Sequence, residues 1–159
     1  GGDWAVDRLV PDMLRSIQRA EVTRIRSPHA TRPWQHVLEP LSGYMTLADR
    51  LLSQGADYAE AWNFGPADAD VKPVQWLVEH LAQRWGPGAD WVLDDRPQPH
   101  EATYLKLDCS KAQARLGWQP RWSLSQGIDA IVEWHQAQAS GADMRALSLQ
   151  QIAQYEASA

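Results

Sequence analysis

The chain has 159 residues, 44% of them hydrophobic, with a formal net charge of −5 and a pI near 5.4. That length supports one domain burying roughly 70% of its unfolded surface, and the acidic balance argues against a general binder of nucleic acid or of anionic membranes. The single cysteine, Cys109, excludes an internal disulfide, and no apolar run approaches the ~20 residues that cross a bilayer, so no membrane partner is expected and the cytoplasm is the expected compartment.

Gly1 to Asp7 reads as a loop. Val10, Met13, Leu14 and Ile17 then fall at helical spacing, with Pro11 and Asp12 where a first turn favours them, and predict a helix from about Val10 to Arg19. Val22 to Arg26 alternates like a strand, and Ser27 to Arg32 is a loop around Pro28. The stretch Arg32 to Tyr44 starts with a guanidinium, runs through a short apolar segment that reads as a brief strand, and enters a helix whose first turn is fixed by Pro40. Leu41, Tyr44, Met45, Ala48, Leu51 and Leu52 form one apolar stripe on that helix, and Gly55 stands where it should end.

Ala59 to Phe64 reads as a short buried strand. Val74, Leu77, Val78, Leu81, Ala82 and Trp85 repeat the helical pattern until Gly86-Pro87-Gly88. Strands are expected at Asp90 to Leu93 and Tyr104 to Leu107, on either side of a proline-punctuated loop. In the last third, Ser110/Gln113, Ser123/Gln126 and Ser148/Gln151 read as capping boxes opening three helices. The first should end at Gly117 and the second near Ala139, while the third, Leu149 to Tyr155, should dock through Leu149 and Ile152. Strands alternating with helices give an α/β class, helix-rich and with few short strands. No strand has the long apolar run suited to the middle of a parallel sheet, which fits a piece of a fold or a small binding lobe.

The nine tryptophans could line a sugar-binding surface, although large aromatics more often fill cores and interfaces. His100-Glu101-Ala102-Thr103-Tyr104 lacks the second histidine of a zinc protease helix, and Asp68-Ala69-Asp70 lacks the later ligands of a calcium loop, so no metal is expected. Cys109 has no base beside it and reads as a buried filler.

Four stretches carry a resemblance: Gly-Gly-Asp-Trp-Ala at the start, Arg32 to Tyr44, His100-Glu101-Ala102, and Leu116-Gly117-Trp118-Gln119-Pro120 with Ile131 and Trp134 behind it. Together they are similar to the carboxyl-terminal half of the CDP-glucose 4,6-dehydratase family, extended short-chain dehydrogenases/reductases that act on nucleotide sugars. The resemblance covers nearly the whole chain and implies that residues 1–159 form one substrate-binding domain, that the chain begins in mid-protein, and that its first partner is a missing amino-terminal dinucleotide-binding half. It implies CDP-glucose as substrate and NAD as cofactor, with NAD bound by that missing half and none in this chain. The reaction so implied oxidises the sugar at C4, eliminates water across C5 and C6 and returns the hydride to C6, on the route to dideoxy sugars of the cell surface such as those of O-antigen.

Recognition of a diphosphate calls for fixed positive charge with planar donors. The resemblance makes Arg8 and Arg32 the substrate-binding candidates there, and places His100 and Glu101 near the nucleotide end. Arg96-Pro97 stands further from His100 than in dTDP-glucose relatives, which leaves Arg96 without an assigned role. His36 and Glu39 match family positions but read as structural. The residues by themselves also allow an Arg32 that caps a carbonyl beside a Trp34 that fills core, a solvated Arg8, and a His100 that only caps a strand beside a solvated Glu101.

Catalysis would need a glycine-rich dinucleotide loop after a strand. Gly86-Pro87-Gly88 instead follows a helix, with Trp91 where a third glycine would stand. It would also need a Tyr-x-x-x-Lys pair, but Ala48, Trp62, Asp108 and Ala159 stand four residues after the four tyrosines. The chain alone is therefore expected to be inactive, with no catalytic residue of its own. A relative using a GDP- or dTDP-linked hexose, and a non-catalytic carbohydrate- or nucleotide-binding module, are the alternative readings. A piece parted from its other half should expose apolar surface and self-associate, so a homo-oligomer is a further expectation.

Overall fold

The computed structural model describes residues 4–5, 7–96 and 102–158. In chain order the elements are α1 (Leu9–Gln18), β1 (Thr23–Ile25), β2 (Thr31–Arg32), α2 (Leu38–Gln54), β3 (Lys72–Pro73), α3 (Val74–Trp85), β4 (Trp91–Leu93), α4 (Ser110–Leu116), α5 (Leu124–Ala139) and α6 (Met144–Ala157). Single 3-10 turns occupy Gly55–Tyr58 and Asp68–Asp70. This is the helix-rich α/β fold with few short strands that the sequence implies. It divides into two compact units, one of residues 1–32 and 72–105, the other of residues 33–71 and 106–159.

In the first unit β1 and β4 pair in parallel, Thr23 opposite Trp91 and Ile25 opposite Leu93. Parallel strands need a crossover, and α3 lies on the chain between them. α1 packs against β1, and Met13, Leu14, Ile25, Leu77, Val78 and Leu81 are buried. α3 stops where Gly86 takes φ 93°, a backbone conformation that only glycine adopts without strain. β2 and β3 pair antiparallel, Thr31 opposite Pro73 and Arg32 opposite Lys72. Arg32 therefore closes a two-residue strand, where the sequence reading had a loop. The expected strand at Tyr104 to Leu107 is reduced to a single bridge between Thr31 and Tyr104.

The second unit contains no strand among its described residues. Its core joins Phe64, Cys109, Ala112, Leu116 and Trp118, with Leu47, Tyr58, Trp62 and Leu107 packed around them. Gly43 makes this possible, because a Cβ there would lie 2.3 Å from the Phe64 ring.

Several expectations fail here for identifiable reasons. Residues 33–36 form no strand, and α2 starts at Leu38 with Pro40 in its first turn. Residues 59–64 have the composition of a buried strand but no ladder, and Ala59, Ala61 and Asn63 are exposed. The apolar stripe of α2 points to water, while Glu39 and Gly43 are its buried residues.

Of the three capping boxes only Ser123/Gln126 forms, with Ser123 Oγ accepting from the Gln126 amide and Gln126 Oε1 from the Ser123 amide. Ser110 is already helical, and the Asp108 carboxylate accepts from its amide at 2.9 Å. Ser148 sits inside α6, which begins at Met144, five residues before the expected Leu149, because Asp143 accepts from the Arg145 and Ala146 amides. α6 docks by the buried Gln151 and Tyr155 instead of Leu149 and Ile152, which are exposed.

Candidate functional site

The first unit carries the cationic candidates. Arg32 ends β2 half-buried, and one of its guanidinium nitrogens donates to the Thr31 carbonyl at 2.9 Å. Its register partner Lys72 lies over the Trp76 ring at 5.7 Å. The ladder thus sets two cationic side chains opposite each other on paired strands. Lys72 escaped the sequence reading because the pairing joins residues forty positions apart, and nothing local to Lys72-Pro73 announces it.

Arg8 stands on a different element, as the residue before α1, where its carbonyl accepts from the Asp12 amide at 2.8 Å. The positive end of a helix beside a guanidinium suits an anion. Asp12, in the first turn, pairs with Arg15.

His100 and Glu101 lie outside the described residues. The chain after them is anchored beside Arg32's strand. The Thr31 amide donates to the Thr103 carbonyl at 2.8 Å, and the Leu105 amide donates to the Thr31 carbonyl at 3.1 Å. On the other side of them, the Asp94 amide extends the β1–β4 ladder to the Ile25 carbonyl. Arg96 is held by both Asp94 oxygens, at 2.7 and 2.6 Å, and that pairing keeps the Asp94 carboxyl down at about 2. Its fork is thus already spent on a neighbour.

The polar centre of the second unit is structural, as the sequence reading of His36 and Glu39 held. Glu39 is 1% exposed, and its carboxylate accepts from the Trp122 amide at 2.8 Å, the Arg121 amide at 3.1 Å and the Tyr155 hydroxyl at 2.7 Å. Ser42 Oγ accepts from Trp118 Nε1 and lies 3.0 Å from the Tyr155 hydroxyl, whose one proton goes to Glu39. Burial pushes the Tyr155 phenol up to about 12, far too high for a base at neutral pH. His36, beside Trp122, accepts from the Leu38 amide through Nδ1, and burial pushes it down to about 4. Burial also raises the Cys109 thiol, which makes it a poor nucleophile.

Among the described residues no group of three or more His, Cys, Asp or Glu side chains could hold a metal, and no helix is long and apolar enough to cross a membrane. Gly86 and Gly88 close α3 instead of opening a helix, so their amides do not form the pyrophosphate cradle of a dinucleotide loop. NAD does not fit there.

No protein-family model matches the chain. It is 53% identical over 155 residues to CDP-glucose 4,6-dehydratase of Salmonella typhimurium, a match covering 98% of this chain and 43% of that enzyme. It is 44% identical over 71 residues to dTDP-glucose 4,6-dehydratase of Haemophilus influenzae, covering 41% of this chain and 20% of that one. Among solved structures, dTDP-glucose 4,6-dehydratase of Bacillus anthracis, in complex with NAD, superposes with a TM-score of 0.63 at 17% identity, over 89% of this chain and 42% of that one. The chain thus spans less than half the length of the relatives it matches.

Proposed function

We propose, from the premise that this chain belongs to the nucleotide-sugar 4,6-dehydratase family, that residues 1–159 are the substrate-binding part of an NAD-dependent lyase converting CDP-glucose to CDP-4-dehydro-6-deoxyglucose and water. The observation that carries this is the 53% identity held over 98% of the chain. The geometry supports it with a pair of facing cations, Arg32 and Lys72, on paired strands.

In this reading Arg32 grips the diphosphate with its planar fork, Lys72 adds charge across the ladder, and Arg8 contributes from the head of α1. His100 and Glu101 contact the nucleotide end. Catalytic residues and NAD belong to the part of the enzyme outside this chain, because the dinucleotide loop and the Tyr-x-x-x-Lys pair are absent from the sequence. The chain by itself binds and does not turn over.

A second reading, a dTDP-linked hexose as substrate, is favoured by the local match to the Haemophilus enzyme. Calorimetric titration with CDP, UDP, GDP and dTDP, at low and then moderate salt, separates the two. Preference for CDP that survives moderate salt supports the proposal, and preference for dTDP supports the second reading. Equal, salt-sensitive binding of all four would show only that arginines meet a diphosphate, and would overturn both assignments of the base.

A further inference from the structure

Lys72 and Arg32 are directly opposite in the antiparallel β2–β3 pair, so their side chains leave the same face of the ladder. A lysine reaches that face on a flexible four-carbon stem, and what holds its ammonium there decides how much ordering a bound anion must impose. Trp76, four residues on, supplies such a hold: Lys72 Nζ lies 5.7 Å from the centre of its ring.

The ring is itself fixed from two directions. Pro73 turns β3 directly into α3, and the first two helical amides are tied to the chain that enters β2, Val74 donating to the Ala30 carbonyl at 2.9 Å and Gln75 to the Pro28 carbonyl at 2.8 Å. Trp76, the next residue, therefore starts from backbone that is bonded to the approach of Arg32's strand. One turn further, the His80 ring stacks on the indole at 4.8 Å, 10° from parallel. The core side of α3 is Val74, Leu77, Val78 and Leu81, whereas Trp76 and His80 are only half-buried. Filling the core does not account for this stack.

We propose that Trp76, backed by His80, is a positioning residue of the anion site: its ring holds the Lys72 ammonium, and through Lys72 it raises affinity for a nucleoside diphosphate that it does not itself touch. The proposal rests on the reading of Arg32 and Lys72 as diphosphate contacts. An indole holds an ammonium without cancelling its charge, as a device that orders a phosphate-binding lysine requires.

The test is a double-mutant cycle, read by calorimetric titration of CDP into the wild-type chain, Lys72→Ala, Trp76→Leu and the double variant. Lys72→Ala should weaken binding about 5-fold or more. Trp76→Leu should weaken it about 2- to 5-fold, the size of an exposed cation–π contact, and should add nothing once Lys72 is replaced. Trp76→Phe keeps an aromatic face and should recover most of the affinity. Equal losses from Trp76→Leu in both backgrounds, or no loss in the wild-type background, would overturn the positioning role alone, provided Lys72→Ala still weakens binding. Unchanged affinity in Lys72→Ala, or no CDP binding by the wild-type chain, sinks the diphosphate reading and the proposal with it. A ligand-free measurement reads the contact separately. Lys72, Lys106 and Lys111 are the only lysines, so their Cε protons can be followed by NMR and assigned with Lys72→Arg. Those of Lys72 should be shifted upfield by the indole and lose that shift in Trp76→Leu. Those of Lys111, whose Nζ lies 4.4 Å from the Trp62 ring centre, should keep theirs as the sign of an intact fold. A wild-type Lys72 signal without the upfield shift overturns the positioning whatever the CDP titrations show.

Discussion

The Tyr155 hydroxyl donates to the Glu39 carboxylate at 2.7 Å across 116 positions of sequence, joining the last helix to the first turn of α2. With the Arg121 and Trp122 amides on the same carboxylate, a buried charge is met by three donors. Hydrogen bonds to charged groups contribute about 1.5–3 kcal/mol each, so Tyr155→Phe should lower the unfolding free energy by that amount. Urea denaturation followed by tryptophan fluorescence measures it. An unchanged midpoint would mean that α6 is held by other contacts.

His36 gives the second unit a dependence on pH. Its folded value of about 4 lies below the ordinary 6.5, so the unfolded chain takes up a proton first. The stability this contributes is fully present above pH 6.5, falls as pH drops toward 4, and amounts to about 3 kcal/mol at most. His36→Phe keeps a ring beside Trp122 and should flatten the difference in melting temperature between pH 7 and pH 5. Equal pH slopes for the variant and wild type would count against the buried neutral imidazole.

Gly43→Ala sets helix propensity against packing. Alanine is worth about 1 kcal/mol over glycine inside a helix, but the new Cβ would meet the Phe64 ring at 2.3 Å. Overpacking should win, for a net loss of about 1–3 kcal/mol. A thermal melt that rises would show that Phe64 can swing aside.

The two serine positions read alike in sequence and should behave differently. Ser123→Ala removes a working cap and should cost about 1 kcal/mol, while Ser110→Ala removes none and should stay within about 0.5 kcal/mol. Asp108→Ala is the informative third member, because its carboxylate holds the Ser110 amide. Chemical denaturation of all three variants should rank Ser110→Ala as the mildest.

Substrate contact can be tested with a pair of arginines. Arg32→Ala should weaken CDP binding about 10-fold or more, with Arg32→Lys recovering only part of the loss, since an ammonium lacks the planar fork. Arg96→Ala should leave affinity unchanged, because Asp94 already occupies that guanidinium. Calorimetry on the three variants decides, and loss at Arg96 with none at Arg32 would reverse the assignment.

The sequence by itself determined the elements whose signals are local. Helical spacing of apolar residues placed α1 and α3 within a residue or so, Gly55, Gly86 and Gly117 marked three helix ends, and the Ser123/Gln126 capping box placed α5. The family was legible too, because Arg32 to Tyr44 and Leu116 to Pro120 are runs read without knowing the fold.

Tertiary structure alone decided which way the apolar side of α2 faces. Spacing fixes that a helix has a stripe and cannot say whether its cover lies in the same chain. Strand composition at 59–64 likewise needs a neighbour to supply hydrogen bonds, and the sequence does not announce that neighbour. The meeting of Arg32 with Lys72 and of Glu39 with Tyr155 joins residues 40 and 116 positions apart, and only the folded backbone brings such pairs together. Periodicity is a property of one segment, whereas burial and pairing belong to two.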